Sequence, residues 1–259
     1  GIARFDGLSW KLFPPESPDK NPTRLYAADD DGGVWGVSPA GITRFADGKF
    51  DVFVADIRPP INSIHSTAVD LDNVKWFGFD KGVASFDGTS WKLYTAADGL
   101  ALGKTGDTVN TIAVDHTNVK WFGTCSGLSR FDGKTWKTFT KETGNLADNN
   151  VSALAVDANN VLWVGMYGGE VTSFDGSSWN GFPQRLQWIK DMAFDGEGSL
   201  WVAISGQYLW KLSGNGWYQY GGALSRDLWS VAADHENVVW AGGGDGNIFR
   251  IRNGVIEKI

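Results

Sequence analysis

The chain has 259 residues, 42% hydrophobic and 20% charged, with a net charge of −7. That composition excludes a disordered polypeptide, and the acidic balance argues against a protein that tracks nucleic-acid phosphates or rests on an anionic membrane surface. With 34 Gly and 14 Trp but 1 Cys and 3 His, the chain reads as short strands joined by tight turns, with no disulfide framework and no zinc-type cluster. No run of 18 apolar residues spans a bilayer, and Gly1-Ile2-Ala3-Arg4-Phe5 lacks the basic-then-apolar pattern of a secretory signal.

Taken in chain order, the first element is a hairpin over 1–13, GIARFDGLSW with a D-G turn and Trp10 behind it. A repeat follows. Trp35, Trp76, Trp121, Trp163, Trp201 and Trp240 stand 41, 45, 42, 38 and 39 residues apart. Six positions before each stands Asp29, Asp70, Asp115, Asp157, Asp195 or Asp234, and eight before each stands Ala27, Ala68, Ala113, Ala155, Ala193 or Ala232. A second marker, typified by GLSRFDGKTW at Gly127, occurs seven times and opens the chain. In the third unit the strands are a (109–115), b (119–124), c (127–132) and d (135–140), with a turn at Asp115-His116-Thr117-Asn118 and a hairpin turn at Asp132-Gly133. No segment keeps a 3.6-residue apolar period, so almost no helix is expected.

Four strands at such a pitch, repeated, predict an all-β propeller of four-stranded blades occupying 1–259 as one domain. Complete blades are expected near 21–54, 62–96, 107–140, 149–181, 187–220 and 226–259. The alanines are expected where inner strands converge on the axis. Seven c–d hairpins against six a–b hairpins make 26 strands, so residues 1–13 are an orphan outer half-blade. The expectation is a parent ring of seven blades, with an a–b pair supplied just upstream of Gly1. The alternative is a closed six-bladed ring with the hairpin packed outside or swapped onto a neighbour.

The pattern V-x-x-I-x-x-D-x-x-N-x-x-W-F-G-T-x-x-G-L-x-R-F-D-G-x-x-W over 109–136 resembles the two-component-regulator propeller repeat, and 64–91 and 151–179 follow it closely. The last two repeats, YLWKLSG and NIFRIRNG, lack its F-D-G. The resemblance implies an extracytoplasmic, periplasmic, secreted or surface propeller that senses or binds a ligand for a bacterial regulator. It carries over no catalytic residue and implies no cofactor. A signalling partner or domain would lie outside this chain. The streptogramin-lyase propellers have a similar repeat and use histidines and acidic residues around magnesium; no such set can be placed in this sequence. A lyase or hydrolase, and a protein–protein scaffold, are the alternative functions.

Length variation falls in the connection from strand d to the next strand a, which shares a face with the b–c turns. That variable face is the expected binding face. Eleven positions before each repeat Trp stand Arg24, His65, Asn110, Ser152, Lys190 and Trp229. The b–c turns add Asp80, Cys125, Tyr167, Gln207 and Asp245, and the loops add Arg58, Arg185 and Trp188. An aromatic, cationic and amide mixture around a shallow mouth suits a small molecule, a glycan or a peptide. The same residues could equally be solvated rim positions. Asp29-Asp30-Asp31-Gly32-Gly33 and Asp70-Leu71-Asp72-Asn73 look faintly like calcium loops, but the matching Asp-His-Thr-Asn favours turns. His116 and His235 read as turn residues. His65 is left as a candidate acid–base or ligand histidine, with Asp80 its one carboxylate neighbour, and Cys125 has no basic partner nearby in sequence.

Overall fold

The computed structural model describes residues 2–5, 8–20, 24–53, 64–103, 107–182, 184–186, 188–206, 208–214, 216–221, 224, 227–234 and 236–259, with the side chains of 24–26 left out. It is an all-β propeller of six antiparallel four-stranded blades, each with its strands in sequence order. The blades cover 24–53, 66–94, 109–139, 151–182, 189–220 and 228–258. Their inner strands, a, are Arg24–Ala28, Ser66–Val69, Val109–Val114, Val151–Val156, Ile189–Phe194 and Leu228–Ala233, each lying against the next from the first blade to the sixth. A seventh sheet has only two strands, β1 (Ile2–Phe5) and β2 (Trp10–Phe13). The helical content among the described residues is two 3-10 turns, Pro18–Lys20 and Ala96–Asp98. No helix among these residues is long and apolar enough to cross a membrane.

The Asp–Trp spacing has a direct cause. In each blade one carboxylate oxygen of the Asp closing strand a accepts the indole N–H of the Trp six residues on. Those distances are 2.7, 2.8, 3.0, 3.2, 2.7 and 3.1 Å from blade one to blade six. The other oxygen accepts the backbone N–H four residues on, as Asp115 does from Val119 at 3.0 Å. A short turn thus has its amide and its buried indole satisfied by one side chain. These contacts give the faint calcium-like loops an ordinary turn role.

The inner strands of neighbouring blades lie against one another, with Ala113, Ala155 and Ala193 packed into the clusters of the following blade, and a second close approach falls on strand b. A Cβ added at Gly78, Gly123 or Gly165 would lie within 3.0 Å of Val109, Val151 or Ile189 of the next blade's inner strand. A glycine at this position gives the next blade its close approach in blades two to four, and blade five carries the small Ala203 there. Outside it the repeat aromatics interlock. Trp76 packs on Tyr94 of its own blade at 5.5 Å and on Phe122 and Phe131 of the next at 5.7 and 6.0 Å.

β1 and β2 sit between the last blade and the first. Phe5 meets Trp240 edge-on at 6.0 Å and 68°, and Phe13 meets Phe45 at 4.9 Å.

Candidate functional site

The variable face is built on an irregularity that the repeat conceals. In blades three to six the ladder between strands a and b slips by one residue, between Val109 and Thr111, Val151 and Ala153, Ile189 and Asp191, and Leu228 and Ser230. The extra residue in each is Asn110, Ser152, Lys190 or Trp229. A bulged residue leaves the ladder and its side chain is re-aimed, so four of the six ring candidates are bulge residues at the mouth end of the inner strand. In blade two His65 and Ser66 both face Gly78, His65 through its N–H to the Gly78 carbonyl at 2.8 Å. In blade one the slip falls two positions later, between Leu25 and Ala27, and Arg24 stays paired with Val37.

The structure gathers the remaining candidates into groups. His65 Nε2 and Asp80 Oδ1 are 2.8 Å apart, both partly exposed, on blade two. Lys190 Nζ lies 5.5 Å from the centre of the Tyr167 ring, across the junction of blades four and five. Trp188, with its backbone at φ +60°, donates its N–H to the Tyr167 carbonyl at 3.1 Å and accepts from Ser205 N–H at 3.2 Å. Its ring stands beside Gly206. Arg185 reaches Glu170 at 3.5 Å. Tyr167, Trp188 and Trp229 are 42%, 47% and 57% exposed, large areas for aromatic side chains. Trp229 lies over Gly244 of the blade-six b–c turn, where an added Cβ would collide with the indole.

Other members are engaged within the wall. Asn110 Nδ2 donates to the Val151 carbonyl at 2.9 Å, tying blade three to blade four, and Ser152 Oγ donates to the Gly165 carbonyl at 3.3 Å. Cys125 is exposed and free, 3.6 Å from Thr108 Oγ1. Arg58, Gln207 and His235 lie outside the described residues, as does the Arg24 side chain. Among the described residues no group of three His, Cys, Asp or Glu converges as a metal site.

One ionisable group on the inner strand was not flagged by the sequence. Asp191 follows the Lys190 bulge; its Oδ2 accepts the Val231 N–H of blade six at 3.0 Å. Burial pushes its pKa up to about 6, with the Val231 and Met192 N–H groups pulling the other way. The signal lay one column from the ring: the residues ten before each Trp are Leu25, Ser66, Thr111, Ala153, Asp191 and Ser230, with a single charge among them. At the opposite end of the strand, burial opposes ionisation of Asp29, but Arg44 at 2.6 Å, Trp35 and Gly33 together draw its pKa down to about 2.

Residues 145–168 match the family described as Two component regulator propeller, and no curated protein sequence matches the chain. The fold is similar to the extracellular domain of BT3049 from B. thetaiotaomicron, assigned as a hybrid two component system, at 18% identity and TM-score 0.77, over 94% of this chain and 35% of that one. This chain therefore spans about a third of the length of that relative. It is similar to a streptogramin B lyase at 16% identity and TM-score 0.78, over 95% and 85% of the two chains. YCF48 bound to D1 peptide is similar at 14% identity and TM-score 0.69, over 100% and 86%. At these identities the likeness is one of fold.

Proposed function

We propose that this propeller is an extracytoplasmic, non-enzymatic binding or sensing module whose ligand sits at the channel mouth on the variable face. The observation that carries the reading is the repeated bulge. It holds one backbone shape in blades three to six while presenting four different side chains, Asn110, Ser152, Lys190 and Trp229. Lys190 with Tyr167 and Trp188 forms a cationic and aromatic corner, which favours a glycan or a peptide over a purely apolar molecule. The Two component regulator propeller match supports the sensing role and the extracytoplasmic location. The peptide-bound relative supports a peptide as one occupant of such a fold. The likeness to a lyase keeps elimination chemistry as the second reading, centred on His65 and Asp80.

A glycan array and a peptide library, each probed with the native protein and with the Trp188→Ala variant, test the proposal. Hits lost in the variant support the mouth; hits that all survive Trp188→Ala and Lys190→Ala overturn it. Turnover of a streptogramin B that disappears in His65→Ala would favour the lyase instead.

We infer further that β1–β2 is the outer, c–d, half of a seventh blade. Phe5 meets Trp240 at 6.0 Å and 68° as Phe131 meets Trp76 at 6.0 Å and 64°, or Phe174 meets Trp121 at 5.9 Å and 71°. Phe13 meets Phe45 as the strand-d Phe139 meets Phe174. Hydrogen exchange tests this reading: a seated half-blade protects the β1–β2 amides, whereas a hairpin lying free exchanges them at peptide rates.

A further inference from the structure

We propose that the space between blade six and β1 is a docking slot for a two-stranded β-hairpin carrying the repeat's own a–b pattern. The proposal rests on the half-blade reading and names what the half-blade binds. Three independent features of the slot point to that occupant. The first is an open sheet edge. In every complete blade strand c is paired on both sides, to b and to d; among the described residues β1 pairs only with β2. An unpaired edge offers its backbone groups to an added strand.

The second is a bare wall. Ser230 and Ala232 on the inner strand of blade six are exposed, whereas at the same positions Ser66, Ala153 and Ala155 are buried and Ala68, Thr111, Ala113, Asp191 and Ala193 are half-buried, each with a following blade beside it. The third is the shape of the groove. Between blades three and four a cavity of about 290 Å³ is lined by Asp115, Val119 and Trp121 on one side and by Asn160, Leu162 and Phe174 on the other. Between blade six and the hairpin the same groove is lined by Asp234, Val238 and Trp240, with Phe5 standing for Phe174. Among the described residues nothing stands for Asn160 or Leu162 there, and the cavity is about 730 Å³.

The closed interfaces specify the chemistry of the occupant. Its strand b brings an apolar residue against Trp240, as Phe122 comes against Trp76 at 5.7 Å. Its turn brings an Asn whose carbonyl accepts an N–H from the preceding blade. Asn118 does so from Leu71 at 3.0 Å, and Asn160 from His116 at 2.7 Å. Its inner strand carries small or β-branched residues facing Ser230 and Ala232, and a two-residue turn such as Cys125-Ser126 leads into strand c. Residues 107–126 of this chain, DTVNTIAVDHTNVKWFGTCS, meet every requirement.

The test uses that segment, with Cys125→Ser, in two forms: as a synthetic peptide added to the native protein, and joined directly ahead of Gly1. The joined form is expected to slow exchange of the β1 amides that point away from β2 at least tenfold and to raise Tm. The added peptide is expected to bind at one per chain by calorimetry, and Ser230→Trp, which fills the slot, is expected to abolish both effects. Protection in the joined form without binding of the free peptide supports a slot that takes a covalently linked hairpin. Unchanged β1 exchange in the joined form, or protection that survives Ser230→Trp, overturns the proposal. Peptide-rate exchange of β1–β2 in the unmodified protein would instead overturn the half-blade reading itself, so the two failures are distinct.

Discussion

The two ends of each inner strand behave in opposite ways. At the turn end six aspartates make the same two contacts, one to an indole and one to an amide, in every blade. At the mouth end the backbone is again uniform from blade three to blade six, but its bulge carries an amide, a hydroxyl, an ammonium and an indole. Uniform side chains mark where the repeat closes its own hydrogen bonds. Uniform backbone with dissimilar side chains marks where the blades diverge: Asn110 and Ser152 bond to carbonyls of the wall, Lys190 meets Tyr167, and Trp229 is exposed. Stability should therefore reside at the turn end and recognition at the mouth end.

The sharpest way to break that division is Trp121→Ala. Trp121 is 3% exposed, donates to Asp115, and packs on Phe139 and on Phe174 of the next blade, both at 5.9 Å. Its removal leaves a cavity at a blade junction and deprives a buried carboxylate of a donor. A loss of about 3–5 kcal/mol is expected in urea unfolding. Trp240→Ala, whose partner across the junction is Phe5 of a two-stranded sheet, should cost less. Equal losses at the two sites would show that the hairpin supports blade six as fully as a complete blade would.

A smaller effect distinguishes the two ends by pH. Asp29 has a folded pKa drawn down to about 2, so its contribution to stability is present above its ordinary value near 3.8 and is lost as pH falls through 2. Asp191 has a folded pKa pushed up to about 6. Between 3.8 and 6 the folded state then binds more protons than the unfolded one at this site, and stability falls as pH rises through that window. The change attributable to Asp191 is on the order of 3 kcal/mol. Stability measured from pH 3 to 8 should decline across that window in the native protein, and Asp191→Asn should flatten the decline. A flat native profile would count against the buried carboxylate.

The sequence made the propeller plain because its architecture-setting contacts are local. Asp115 and Trp121 face each other across one turn, with Ala113 paired to Trp121 in the ladder, so a six-residue spacing records a three-dimensional contact. The role of the W-F-G glycine was less legible, because what crowds Gly123 is Val151, a residue of the next blade. The ring of mouth residues was found by column, but its cause, the bulge, leaves no mark on residue spacing. The column also misled at blade one. There the ladder slips two residues later, and Arg24 keeps a pairing that its counterparts lose. The Lys190–Tyr167 contact joins neighbouring blades and could not be read along the chain.

The smallest expected effect is on stability, at Lys190 and Trp229. Both are bulge residues, so neither side chain contributes to the a–b ladder. Trp229 is 57% exposed, and its indole rests on a turn glycine. The partner of Lys190 is the face of a tyrosine that is itself 42% exposed, and a cation–π contact in such a setting is worth about 0.5–1 kcal/mol. Lys190→Ala and Trp229→Ala should each therefore lower stability by about 1 kcal/mol or less, with little change in Tm. If the mouth is the binding site, the same substitutions weaken a ligand held there by about tenfold or more, corresponding to about 1.4 kcal/mol. Binding lost with folding intact places recognition at the bulge. Folding lost in either variant would give the mouth a structural role and erase the contrast between the two ends of the strand.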